Sequence, residues 1–145
     1  MTTAAKWAYG TLLKIGDGES AETFTTLAEV FEISPAEMSR DAIDVTNHSS
    51  ADGYKEFIPG LRDAGEYDVK MNWLPANATQ DGSTGILAQF DDDDVHNYQL
   101  VLQDGTTQVA FSGFLTSFKP VSPIDAQYTL ECKLKVTGKP VITTA

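Results

Sequence analysis

Strict alternation of apolar and polar residues in two segments is the feature that most restricts how this chain folds. Glu66–Trp73 and Thr129–Val136 both place an apolar side chain at every other position. Successive side chains of a strand point to opposite faces of a sheet, so each segment predicts a half-buried strand. The predicted buried set comprises Tyr67, Val69, Met71, Trp73, Leu130, Cys132, Leu134 and Val136.

Turn signals predict how further strands are connected. Asp104-Gly105 separates two apolar segments, 98–103 and 107–118, and suits the positive φ angles of a tight antiparallel hairpin. The second segment is apolar on both phases, which requires either a bulge at Gly113 or two covered faces. An opening hairpin is expected around Gly16-Asp17-Gly18, between strands at 11–15 and 24–33.

A single helix completes the predicted architecture. Residues 79–91 carry apolar side chains at helical spacings and begin with polar residues suited to capping. The prediction is one mainly β domain over residues 1–145, a β-sandwich or barrel-like fold with this helix packed on it. The aspartates 91–94 are expected in a solvated loop, because acidic groups at a helix C-terminus are unfavourable.

The charge balance restricts the partners of the chain. It has 145 residues, with 21 acidic residues against 10 Lys plus Arg and a formal net charge of -11. Gripping nucleic acid requires clustered basic side chains, so direct binding is disfavoured, whereas an acidic surface permits a polyanion to slide past. Residues 1–20 lack the pattern of a secretory signal, and no apolar run approaches the ~20 residues of a membrane span.

Residues that could carry chemistry lack the spacing that chemistry needs. His48 and His96 show no metal-ligand spacing, the run Asp91–Asp94 lacks the alternation of a calcium loop, and Cys132 falls in a core pattern. The paired carboxylates are too numerous to be specific for glycoside hydrolysis. We therefore expect no catalytic residue, no cofactor-binding residue and no metal site, and we expect that the protein is not an enzyme.

The segment from Arg40 to Gly65 is unusually long for a connection inside a compact domain, and its apolar content argues against disorder. It is interpreted either as an ordinary hairpin folded onto its own sheet or as an extended hairpin that meets another subunit. The interface candidates are Arg40, Asp41, Ile43, Asp44, Val45, Tyr54, Lys55, Glu56, Phe57, Ile58, Leu61 and Arg62.

Four ordered segments, Gly10–Gly18, Ser39–Thr46, Tyr54–Glu66 and Leu134–Pro140, carry a family resemblance. Together the chain resembles the major tail tube proteins of long-tailed, non-contractile bacteriophages, the group typified by the phage lambda tail tube protein. Some members carry an added C-terminal immunoglobulin-like domain, which is not expected in a chain that ends at Ala145.

The resemblance implies a virion structural protein that forms hexameric rings, stacked into a tube through which DNA passes during ejection into the host. Assembly in the host cytoplasm, without membrane insertion, and tape-measure, tail terminator and tail tip partners are implied as well. The long hairpin would bridge subunits or rings, and arms are expected at residues 1–10 and 138–145.

The polar faces of the two alternating strands are either plain solvent-exposed surface or, in a ring, the wall of a channel. Lumen-lining candidates are Glu66, Asp68 and Glu131, although Lys70, Lys133 and Lys135 share these faces. The alternative to a tube subunit is a non-catalytic β-sandwich binding module for phage adhesion or carbohydrate. A small hydrolase is a third hypothesis.

Overall fold

The computed structural model describes residues 3–19 and 21–144. Within these ranges the chain forms nine strands and one α-helix, α1, at Ile86–Asp91. The strands are β1 Leu12–Gly16, β2 Phe24–Thr26, β3 Val30–Ser34, β4 Ser39–Asp44, β5 Phe57–Asp63, β6 Glu66–Asn72, β7 His96–Val101, β8 Gln108–Val121 and β9 Thr129–Thr143.

Seven strands form one antiparallel sheet in the order β2-β1-β7-β8-β9-β6-β3, and β4 pairs only with β5. The mainly β class is thus confirmed. The seven strands curl around one core, but β2 and β3 remain edge strands, so the sheet does not close into a barrel. The predicted hairpins β1–β2 and β7–β8 are present, whereas β3 crosses over to pair with β6.

Alternation in β6 and β9 identifies the core correctly. Tyr67, Val69 and Met71 of β6 are buried, as are the four predicted residues of β9. Trp73 follows the end of β6 and is only partly buried, in edge contact with Tyr128 at a centroid distance of 6.0 Å. The strands therefore bury one face and expose the other.

An aromatic stack joins the two halves of the curled sheet. Phe111 of β8 stacks on Tyr98 of β7 at 5.5 Å and on Tyr67 of β6 at 4.3 Å between ring centroids. Ile86, the first residue of α1, is fully buried in the same core. Because rings of this size bury large apolar areas, the stack forms a large part of the core shared by β6, β7 and β8.

A bulge in β8 accounts for the apolar residue Phe118 but lies beyond Gly113, whereas Phe114 stays on the outer face and is 40% exposed. Leu115 pairs with Leu134, and Phe118 pairs with Cys132. Between these two pairs β8 advances by three residues and β9 by only two. The extra residue, Thr116, moves Phe118 onto the same face as Leu115. The predicted position of the bulge was therefore wrong by three residues.

Helix α1 is shorter than the predicted 79–91 because its intended first turns are held in another conformation. Asp81 accepts hydrogen bonds on Oδ1 from the backbone N–H groups of Ser83, Thr84 and Gly85. Such bonds compete with the helical pattern. The helix therefore begins only at Ile86. It includes Asp91, which was expected in the loop, whereas Asp92–Asp94 follow the helix and are exposed, as predicted.

Within the described residues, the N-terminal end contains no strand, whereas the C-terminal end continues β9. Residues 3–10 are exposed and contain no strand. The described part of the predicted C-terminal arm, 138–144, largely continues β9, which pairs with β8 as far as Thr143. Flexible arms stay a prediction, and residues 1, 2 and 145 lie outside the described residues.

Candidate self-assembly surface

The hairpin β4–β5 projects as a two-stranded sheet of its own. Every residue of β4 is exposed, and β5 is exposed throughout except at Gly60, which is half-buried. A hairpin folded onto its own sheet would have one buried face, so the structure corresponds to the extended hairpin. The surface formed by residues 39–63 is called the hairpin surface below.

Apolar side chains are brought together on the hairpin surface. Ile43 and Ile58 are cross-strand partners and are 46% and 48% exposed. The other exposed large apolar side chains there are Val45, Tyr54, Phe57 and Leu61. Phe57 follows the opposite phase to Ile58, so both faces of the hairpin expose apolar side chains, and exposed apolar surface of this kind is typical of interaction sites.

The tip of the hairpin is ordered by its own polar side chains. The N–H of Thr46 donates to Asp44 Oδ1 at 2.8 Å, and the N–H of Glu56 donates to Thr46 Oγ1 at 2.8 Å. The hydroxyl of Ser50 donates to Glu56 Oε2 at 2.7 Å. Hydrogen bonds from the hydroxyl and N–H of Thr46 lower the pKa of Asp44. The tip is therefore pre-organised, which reduces the entropy lost on binding.

A groove of about 1000 Å³ lies between the base of the hairpin and strand β9 of the main sheet. Residues 38–41 and 60–64 form one wall, and Val136–Pro140 of β9 form the other. Most of the first wall falls within the long segment that the sequence singled out, whereas the second wall was not predicted, because β9 reaches it only through its pairing with β8 and β6. No local pattern in 136–140 signals this neighbourhood.

Two arginines, Arg40 and Arg62, stand opposite each other at the hairpin base. Arg40 Nε donates to the carbonyl oxygen of Gly60 at 3.2 Å. Neither arginine has a carboxylate within ion-pair distance among the described residues. Lys135 of β9, by contrast, forms an ion pair with Asp63, and its Nζ lies 2.9 Å from Asp63 Oδ1.

The lumen-lining candidates Glu66, Asp68 and Glu131 lie on the polar face of β6 and β9, where each meets a lysine. Lys133 Nζ lies 3.8 Å from both Glu66 and Asp68. Glu131 lies between Lys70 and Lys119 at 3.7 and 3.9 Å. This face is therefore a ladder of alternating charges and not a uniformly acidic surface.

Other reactive groups are isolated. Burial raises the pKa of the Cys132 thiol to about 12, so the thiol stays protonated at neutral pH. His96 Nε2 lies 3.5 Å from Asp92 Oδ2. Among the described residues no three His, Cys, Asp or Glu side chains converge on a possible metal position. No described helix is both long and apolar enough to cross a membrane.

A curled antiparallel sheet with a short helix and a projecting hairpin defines the class of mainly β tail tube domains. The chain belongs to the family described as lambda phage tail tube protein, TTP, whose sequence profile matches residues 7–143. It is therefore a structural protein of a phage tail. No curated protein sequence matches it at a significant level.

Solved structures share the fold at low identity. A chain of the native gene transfer agent virion is 18% identical with a TM-score of 0.76, over 97% of this chain and all of that one. A chain in the tail of the empty gene transfer agent particle, computed with C6 symmetry, is 21% identical with a TM-score of 0.74, over 97% and 100%. The SPP1 tail tube is 10% identical with a TM-score of 0.68, over 94% and 77%.

Proposed function

We propose that this chain forms hexameric rings that stack into the tube of a long, non-contractile phage tail, whose channel lets DNA pass during genome ejection through the host envelope. Tube growth takes place in the host cytoplasm, with tape-measure, tail terminator and tail tip proteins as partners. The chain acts by assembly and carries out no catalysis.

The hairpin surface is the observation that carries this proposal. A monomer would leave Ile43, Ile58 and Leu61 in water on an element that makes no core contact, at a cost that burial against another copy removes. The six-fold symmetry reported for the tail of the gene transfer agent particle supports six copies per ring. The free sheet edges β2 and β3 offer unpaired backbone groups for joining neighbours.

The polar face of β6 and β9 is proposed as the channel wall. Lysines within that ladder compensate Glu66, Asp68 and Glu131, so the wall has little net charge. Such a wall gives DNA phosphates no cluster of free cations to hold. The rest of the excess negative charge of the chain would repel DNA at longer range.

Electron microscopy of the purified protein tests the proposal. We expect rings or tubes with a central channel at high protein concentration. Deletion of residues 44–57 should abolish tube growth and leave the seven-stranded sheet folded, because the hairpin contributes nothing to the core. Collapse of the fold in that variant would show that the hairpin is needed within the monomer.

Point substitutions test the same surface without removing the hairpin backbone. Ile43→Ser with Ile58→Ser removes the paired apolar side chains of the hairpin and should raise the concentration needed for assembly. Ile124→Ser, at a fully exposed position outside the hairpin, is the matched control. Equal assembly of both variants would contradict a role for the apolar face.

A further inference from the structure

The two arginines of this chain lie close together, and in the monomer no ion pair among the described residues compensates their mutual repulsion. Arg40 and Arg62 are its only arginines, and the β4–β5 register sets them directly opposite each other. Like charges at opposed positions of neighbouring strands destabilise the pair. In a chain with 21 acidic residues, such a pair without a described carboxylate partner calls for an explanation.

The groove at the hairpin base makes this pair a site for an anionic group. Arg40, Arg62 and Lys139 all line the groove. Of the two carboxylates that also line it, Asp63 is engaged by Lys135, which leaves Asp41 against three cations. Guanidinium groups bind carboxylates with a bidentate geometry, so the groove presents two donors of this kind side by side.

The acidic run Asp91–Asp94, which begins at the last residue of α1 and continues into the loop, carries negative charge that the monomer leaves uncompensated. Asp91–Asp94 are four consecutive exposed aspartates at the C-terminal end of a helix, where negative charge is unfavourable. Within the described residues the one close contact of this run with a basic side chain is that between Asp92 and the imidazole of His96. Asp91, Asp93 and Asp94 therefore lack a cation in the monomer.

We propose that the groove of one subunit receives the loop Asp91–Asp94 of a second copy, with Arg40, Arg62 and Lys139 binding its carboxylates. The inference rests on the proposed function and names the partner surface of the hairpin. Because the two surfaces lie on different parts of the chain, the contact can repeat head-to-tail from copy to copy, as the rings of the proposed function require.

Carboxylates of a second copy are a better match for the groove than DNA phosphates. A chain with a net charge of -11 repels a long polyanion, whereas a local loop of another subunit meets the groove at short range. Local contacts of opposite charge would also offset part of the overall repulsion between copies. The contact should weaken with added salt because both surfaces are exposed.

Charge reversal on each side, separately and together, tests the inference in the full-length protein. One variant carries Arg40→Asp and Arg62→Asp, the other Asp93→Arg and Asp94→Arg, and association is measured by sedimentation and electron microscopy. Each variant alone should weaken association at least ~10-fold, because charge reversal replaces attraction across the contact by repulsion. A chain with all four substitutions, or an equal mixture of the two variants, should recover it.

Matched controls separate this contact from overall charge. Thr106→Asp, Ser122→Asp, Ile124→Asp and Ala126→Asp together, all at exposed positions outside the groove and the acidic loop, change the net charge as the groove variant does. Glu19→Arg with Asp125→Arg matches the loop variant, and both controls should assemble like the wild type. Arg40→Gln with Arg62→Gln should weaken assembly less than charge reversal does. Thermal unfolding of each variant verifies that the exposed substitutions leave the fold intact.

The outcomes distinguish the contact from the function on which it rests. If either reversal variant forms tubes as well as the wild type does, or if combining the two variants restores nothing, the proposed contact is wrong. The proposal that the chain is a tube subunit would be unaffected. Wild-type protein that stays monomeric at every concentration would overturn both. Binding of a short DNA duplex that is lost in the Arg40→Asp, Arg62→Asp variant would assign the groove to phosphate and also overturn the contact.

Discussion

Lys135 Nζ of β9 lies 2.9 Å from Asp63 Oδ1 at the end of β5, and this ion pair ties the projecting hairpin to the main sheet. A backbone link accompanies it, since the N–H of Val136 donates to the carbonyl oxygen of Gly65 at 3.1 Å. The direction of the hairpin surface therefore depends on a few contacts at its base.

Asp63→Asn should loosen the hairpin without unfolding the sheet. The Lys135 ammonium and the N–H of Gly65 lower the pKa of Asp63. A lowered pKa gives stabilisation that is present above the unfolded pKa of about 4 and is lost as the pH falls through the folded pKa. The protection factors of the β4 and β5 amides against hydrogen exchange should therefore be lower in the variant at pH 7, and should fall in the wild type only at acidic pH. Unchanged exchange in the variant would show that the backbone contacts suffice.

Gln80→Ala should destabilise the fold by about 2–4 kcal/mol, because it leaves three backbone groups without a partner. Gln80 is 1% exposed. Its Nε2 donates to the carbonyl oxygens of Ala28 and Asn72, and its Oε1 accepts from the N–H of Leu74. Urea unfolding measures the loss. Gln127→Ala, an exposed control with one side-chain hydrogen bond, should have little effect.

Cys132 should resist thiol reagents at pH 8 in the folded protein and react fully in urea. Burial raises the pKa of its thiol to about 12, so both access and thiolate are lacking. Because the unfolded thiol loses its proton at about pH 8.5, stability should fall as the pH rises above that value. Rapid labelling of the native protein, at a rate independent of denaturant, would contradict the buried position.

Asp104→Ala should weaken the β7–β8 hairpin in a pH-dependent manner. The N–H groups of Thr107 and Thr106 donate to Asp104 Oδ1 and lower the pKa of Asp104 to about 2. This contribution is present above about pH 4 and disappears as the pH falls toward 2. The difference in melting temperature between wild type and variant should therefore narrow on acidification. Asp125→Ala, on an exposed loop, is the control, and an equal narrowing there would contradict the assignment.

Local patterns predicted the elements whose physical cause is local. Alternation in β6 and β9 identified the buried residues because side-chain direction follows directly from strand geometry. Asp104-Gly105 identified the β7–β8 hairpin because a tight turn depends on the backbone preferences of two residues. The early residues of the predicted helix failed for a similarly local reason, since Asp81 binds the backbone N–H groups that follow it.

The sequence by itself determined that this is a mainly β chain with one helix and a long apolar hairpin, and its ordered motifs indicated the tail tube family. Only the tertiary structure decided that β3 pairs with β6, that a bulge at Thr116 aligns Phe118 with the core, and that β9 forms a wall of the groove at the hairpin base. Those features depend on register between distant segments. Register is set by which faces the whole sheet buries together, and no local pattern encodes it.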